Sequence, residues 1–204
     1  MPRDRAGRRH NALQKNTGQL RIIGGEWRGR KIRFPPVAGL RPTPDRVRET
    51  LFNWLAPVIA GSCCLDLFAG SGALGLEALS RGAARVTFVE RDRAAASHLE
   101  ETATVLAPGR ATVYQADALA WLAGPATAAD IAFIDPPYDS ALLPDAMRAL
   151  ETGGWLAAAA FIYLEAPAKA GLPVLPASWS MHRTGRAGAV GYHLARRSAA
   201  GGST

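Results

Sequence analysis

Cysteine is nearly absent from this chain: two among 204 residues, Cys63 and Cys64, side by side in an apolar stretch. Adjacent cysteines cannot build a disulfide framework or a metal cluster. The pair therefore reads as buried thiols in a reducing cytoplasm, and no metal is expected. Long apolar runs are missing too. None reaches the ~18 residues of a membrane span, and the basic N-terminus lacks the apolar segment of a secretory signal. Acidic residues are scarce at the front. Residues 1–60 hold 13 Lys and Arg against 4 Asp and Glu, giving +9, whereas residues 61–204 hold 11 against 13, giving −2. A basic front on a nearly neutral remainder points to a polyanionic partner, nucleic acid, over a solvated charged surface.

What is present fits one domain with a small appendage, and a hydrophobic content of 48% supplies a core. Residues 1–18 carry arginines with almost nothing to bury and read as a disordered basic tail. Residues 20–23 and 31–34 read as a hairpin, with Gly24, Gly25 and Gly29 in its turns. Within it Trp27 lies beside Arg28, Arg30 and Lys31, an aromatic among cations that suits stacking and phosphate contact, although the ring could instead anchor the hairpin. Thr43, Pro44 and Asp45 read as the N-cap, first residue and acidic first turn of a helix over 45–55. Arg41 and Arg46 join the expected RNA-binding set, and residues 19–60 form an expected RNA-binding unit.

From residue 61 the pattern becomes strand, turn and helix at even spacing. Strands are expected at 63–67, 85–90, 111–115, 130–134 and 161–165, with a closing hairpin of 179–183 and 190–194 across Gly185 and Gly188. Short apolar runs without alternation belong to buried parallel strands. The class is α/β, a doubly wound Rossmann-like sheet over residues 61–197 with an N-terminal β-hairpin extension, and residues 198–204 fray.

Gly70-Ser71-Gly72-Ala73-Leu74-Gly75 follows the first of these strands and matches the dinucleotide pattern, with Glu90 twenty residues after Gly70. A nicotinamide enzyme is therefore one reading. Asp66, at the strand end, opposes it, because a carboxylate there repels a pyrophosphate and attracts an ammonium. S-Adenosylmethionine suits the acids better: Asp66 and the loop for its methionine end, Glu90 for its ribose, Asp117 for its adenine. Phe68, Ala69, Gly70, Gly72, Arg91, Ala118 and Asp135 complete the expected cofactor set. Glu90 and Asp117 could alternatively be helix caps.

The chemistry concentrates where residues 130–134 end in Asp135-Pro136-Pro137-Tyr138. Two prolines stop a strand, and ligands of open α/β sheets bind at the carboxyl ends of strands. Pro137 holds the Pro136 carbonyl in a fixed direction. That carbonyl and Asp135 can accept both hydrogens of an exocyclic amine, while Tyr138 stacks on the base. A turn with Asp135 capping a following helix is the plainer reading.

Asp66-x-Phe68-Ala69-Gly70-Ser71-Gly72 with Asp135-Pro136-Pro137-Tyr138 resembles the amino-group methyltransferases. The front segments, residues 21–31 (Arg-Ile-Ile-Gly-Gly-Glu-Trp-Arg-Gly-Arg-Lys) and residues 40–55 beginning Leu-Arg-Pro-Thr-Pro-Asp-Arg, are similar to the RsmD family, and the similarity runs from about residue 20 to 194. The resemblance implies a seven-stranded methyltransferase sheet and S-adenosylmethionine as donor. It further implies transfer to N2 of a specific guanine in 16S ribosomal RNA, within a small subunit or its assembly intermediate. Asp66, Gly70 and Glu90 would line the cofactor, and Asp135, Pro136, Pro137 and Tyr138 would be catalytic. A cytoplasmic monomer without membrane association is expected. A DNA adenine-N6 methyltransferase and a non-catalytic RNA-binding protein are the competing readings.

Overall fold

The computed structural model describes residues 18–35, 43–137 and 141–198. The basic tail, Arg41, Tyr138 and the C-terminal residues 199–204 lie outside the described residues.

Apolar runs that end in acids or glycines build the sheet. Its strands are β3 (Cys63–Asp66), β4 (Arg85–Glu90), β5 (Ala111–Gln115), β6 (Ala129–Ile134), β7 (Leu156–Pro167), β8 (Trp179–Ala187) and β9 (Val190–Arg197). Before them, β1 (Gly18–Arg21) and β2 (Lys31–Phe34) pair as a separate antiparallel hairpin. The helices are α1 (Asp45–Leu55), α2 (Ala73–Ser80), α3 (Arg93–Leu106), α4 (Ala118–Leu122) and α5 (Leu142–Thr152). The seven strands lie in the order β5-β4-β3-β6-β7-β9-β8. The first five are parallel, and β9 runs antiparallel to both its neighbours. This is a doubly wound, Rossmann-like sheet with an antiparallel closing strand.

Side chains alternate between two cores, one on each face of the sheet. Cys64, Phe88, Ile131, Phe133 and Tyr163 face a core shared with α1, α2, α3 and the hairpin residues Leu20, Ile22, Trp27, Ile32 and Phe34. Leu65, Val89, Ala132 and Ile134 face α4 and α5. The hairpin thus has no core apart from that of the sheet. Among the described residues no helix is long and apolar enough to cross a membrane.

Several boundaries differ from the sequence reading. The hairpin begins two residues early, at Gly18. Strand β7 starts at Leu156, and its pairing with β6 jumps from Leu156 to Phe161, so the alanine run 157–160 forms an irregularity in the ladder. Gly185 is not in the closing turn. It lies within β8 opposite Tyr192, whose ring comes within 2.3 Å of the place a Cβ would take. Cys64 is buried, and burial pushes its thiol up to about 12, but Cys63 is only half-buried.

Candidate active site

Strand order reverses at β3, which pairs β4 on one side and β6 on the other. Ligands of doubly wound sheets bind at such a switch point, beyond the carboxyl ends of the strands. Four acids stand there on neighbouring strands: Glu90 on β4, Asp66 on β3, Asp135 just past β6 and Glu165 near the end of β7. Alternation puts all four on the face that carries α1 and α2, since they share parity with Phe88, Cys64, Phe133 and Tyr163.

Asp66 is buried and accepts from the Gly75 amide at 2.9 Å. Burial raises its carboxyl to about 7 against that bond, and the charge of Glu90 adds to the rise. Glu90 accepts from the Gly70 amide and from the Asp92 amide, each at 2.7 Å. It therefore does not cap α3. Asp92 does, accepting from Ala95. Gly70 and Gly72 take positive φ, 54° and 76°, a conformation only glycine adopts freely. Phe68 and Ala69 lead into them, with the Ala69 amide donating to the Val89 carbonyl across to β4. Arg91 is exposed beside Glu90. Asp117 is the N-cap of α4, accepting from the Leu119 and Ala120 amides, and Ala118 is buried behind it.

Asp135 is half-buried, Pro136 buried and Pro137 exposed. Asp135 caps no helix, for α5 has no side-chain cap. Its Oδ2 instead accepts from the hydroxyl of Thr43 at 3.4 Å. Burial lifts its carboxyl well above the ordinary range, the charges of Glu165 and then Asp66 lift it further, and the Thr43 bond opposes them.

Sequence reasoning misses two members of this cluster. Glu165 reads in sequence only as the end of a strand, although an acid ending a buried strand is the same signal that marks Asp66 and Glu90. Thr43 reads as the N-cap of α1. The cap position is Pro44, with no side-chain bond, and the Thr43 hydroxyl turns into the site.

The hairpin is fastened to α2. Glu77, fully buried, accepts from the amides of Ile23 and Gly24 at 2.8 Å each, pairs with Arg81 at 2.7 Å and meets Arg48 at 3.5 Å. A Cβ on Gly25 would fall 1.9 Å from the Ser80 carbonyl oxygen, so only glycine permits this approach. Arg48, in sequence another surface cation, is 1% exposed and bonds the Thr43 carbonyl, the Arg21 carbonyl and Asp45. Trp27 corrects its expected stacking role. It is 8% exposed, its amide is held by Ser80, and Arg110 covers its ring, so it anchors the hairpin. Arg28, Arg30, Lys31 and Arg46 are exposed.

The donor set has a clear chemical preference. Carboxylates occupy the Gly70 and Gly75 amides that a pyrophosphate would need. The cleft instead favours a ligand with positive charge and hydrogen-bond donors.

The family model described as "Conserved hypothetical protein 95" matches residues 20–196. Ribosomal RNA small subunit methyltransferase D of Escherichia coli (strain K12) is 54% identical over 187 residues, 92% of this chain and 94% of that protein. The protein of the same name from Haemophilus influenzae is 43% identical, covering 87% and 93%. The solved structure of yhhF from Escherichia coli superposes with a TM-score of 0.84 at 52% identity, covering 89% of this chain and 99% of that one.

Proposed function

The chain belongs to the Conserved hypothetical protein 95 family, the RsmD family, and from that membership and the cleft we propose that it transfers a methyl group from S-adenosylmethionine to the exocyclic N2 of a specific guanine in 16S ribosomal RNA. The observation that carries this reading is the placement of Asp66 and Asp135 at the switch point on neighbouring strands: Asp66 bonds the Gly75 amide beyond the glycine loop, and Asp135 stands two residues beyond Phe133, the register partner of Asp66, where the Pro-Pro segment begins. The names and extent of the relatives support ribosomal RNA as the substrate.

The residues present fit the donor. Its ammonium and sulfonium are positive, and Asp66, Glu90 and Asp135 supply negative charge. Asp66 takes the methionine end. Glu90 keeps lone pairs for ribose hydroxyls beside its two backbone bonds, with Arg91 at the rim. Asp117 and Ala118 border the adenine, and Phe68, Ala69, Gly70 and Gly72 form the floor. When bound, S-adenosylmethionine supplies an electrophilic methyl group.

The guanine N2 lone pair is delocalised into its ring and is a poor nucleophile. Asp135 and the Pro136 carbonyl accept its two hydrogens, holding the amine in place and stabilising the charge that grows on nitrogen. Pro137 fixes the direction of that carbonyl. Tyr138 stacks on the base, which leaves its helix to reach the cleft. Arg28, Arg30, Lys31, Arg41 and Arg46 hold the RNA backbone, with Trp27 keeping in place the hairpin that carries the first three. The substrate is a small ribosomal subunit or assembly intermediate, and the enzyme acts as a cytoplasmic monomer.

An adenine-N6 enzyme acting on DNA would use the same Asp-Pro-Pro-Tyr chemistry, so the substrate assay discriminates. Small subunits from cells lacking this protein are incubated with it and labelled S-adenosylmethionine, and the modified nucleotide is mapped by mass spectrometry. A single N2-methylguanine in 16S RNA is expected, lost with Asp135→Asn. Label in DNA adenine, or undiminished transfer by Asp135→Asn, overturns the reading.

A further inference from the structure

The Asp-Pro-Pro-Tyr motif does not account for Glu165. This residue is 4% exposed at the end of a central strand, where burying a charge is costly and a purely structural acid is rare. In the parallel register Ile134 is opposite Leu164, so the next residues, Asp135 and Glu165, stand side by side. Neighbouring strands lie about 4.8 Å apart. The Tyr163 hydroxyl donates to Glu165 Oε1 at 2.7 Å and holds the carboxyl in place.

The groups around the pair are Asp135 from the end of β6, Asp66 from β3 and Tyr163 from β7. Tyr192 of β9 is the register partner of Glu165. The Thr43 hydroxyl comes from the segment before α1, where Arg48 bonds the Thr43 carbonyl.

We propose that Glu165 is a positioning residue that acts through Asp135: its carboxylate, held by Tyr163 beside Asp135 at the end of the neighbouring strand, helps Asp135 accept the proton the guanine amine sheds. The inference rests on the function proposed above. Nitrogen takes the methyl group as the sulfur–methyl bond of the donor breaks, that pair staying on the thioether sulfur; the N–H bond breaks, its pair stays on nitrogen, and the proton joins a carboxylate oxygen of Asp135. The lift that Glu165 gives the Asp135 carboxyl agrees with this role. Two carboxyls this close titrate as a pair.

The test uses the cofactor-free protein first. The Asp135 carboxyl is titrated by carbon-13 NMR, assigned with Asp135→Asn, in the wild type and in Glu165→Gln. Glutamine keeps the size of Glu165 and an acceptor for Tyr163 but removes the charge. The Asp135 midpoint should fall by roughly one pH unit. The acid limb of kcat on small subunits should move down with it, the plateau should drop several-fold, and KM for the subunits should hold. A second variant, Tyr163→Phe, leaves Glu165 without that donor, so Glu165 takes the shared proton more readily and the Asp135 midpoint again falls. An unmoved midpoint in either folded variant overturns the proposal. Absence of methyl transfer by the wild type would instead overturn the proposed function, and the NMR titration tells the two failures apart.

Discussion

The hydroxyl of Thr43 donates to Oδ2 of Asp135 at 3.4 Å, across 92 residues of sequence. The carbonyl of the same threonine accepts from Arg48 Nε at 3.1 Å. Arg48 in turn meets Glu77, which holds the hairpin amides. A continuous set of buried and part-buried interactions therefore runs from the hairpin to the carboxylate proposed to hold the amine. Thr43→Val should remove about 1 kcal/mol from the stabilisation of that carboxylate, roughly a fivefold fall in kcat with KM for the subunits unchanged. Thr43→Ser should restore the rate. Steady-state kinetics on small subunits check both, and a Thr43→Val enzyme with full kcat would make this bond incidental.

Removing Glu77 tests the fastening itself. Breaking a buried ion pair by deleting one partner costs about 3–5 kcal/mol, and Glu77→Gln takes the carboxylate from Arg81 and leaves Arg48 paired with Asp45 alone. Thermal unfolding should shift down by about 10 °C. A shift of a degree or two would show that the hairpin is held by its apolar packing alone.

Asp66 makes a pH-dependent prediction. Its folded carboxyl is raised from 3.8 to about 7, burial being the main cause. The unfolded carboxyl ionises near 4, so the free protein loses stability from this group as pH rises from about 4 to about 7. Asp66→Asn should therefore stabilise the free protein at pH 8, by up to a few kcal/mol, and leave it nearly unchanged at pH 4. The same change should weaken binding of S-adenosylmethionine. Calorimetric melting at the two pH values, with titration of the cofactor, checks this. Equal stabilisation at both would show that Asp66 is not the titrating group.

The exposed cations should act additively on RNA affinity. Removing one cation that neutralises a phosphate lowers the slope of log affinity against log salt by a little under one. Arg28→Ala, Arg30→Ala, Lys31→Ala and Arg46→Ala should each do so without altering the melting temperature. Trp27→Ala should behave in the opposite way, lowering stability by about 3 kcal/mol because its ring is packed in the core. Filter binding across a salt series, set beside thermal melts, separates the two classes.

Glu90 braces the glycine loop and is proposed to hold the ribose. Glu90→Ala should weaken cofactor binding by roughly tenfold or more in isothermal calorimetry, since the Gly70 and Asp92 amides lose their acceptor as well. Unchanged affinity would remove it from the site.

Much of this architecture is local chemistry and is readable along the chain. Buried parallel strands must be short and apolar, acids or prolines must end them, and the glycines at 70 and 72 permit a turn that other residues resist. Those constraints act within a few residues, so Asp66, Glu90 and Asp135 can be placed at strand ends without tertiary information. The closing hairpin strains the same logic. Gly185 looks in sequence like a turn residue because the ring of Tyr192, which fills the space of its missing side chain, comes from the partner strand.

The sequence alone determined that a basic segment precedes a doubly wound sheet with an acid-ended cleft. It could not distinguish Arg48, buried among four acceptors, from Arg46, exposed two residues earlier, nor tell that Trp27 faces inward. It marked Glu165 as an acid ending a strand but not as a neighbour of Asp135, and it held no hint that Thr43 bonds Asp135. Tertiary structure decided each of these, because the cost of burying a charge or hydroxyl depends on partners that strand register and helix docking bring together from distant parts of the chain.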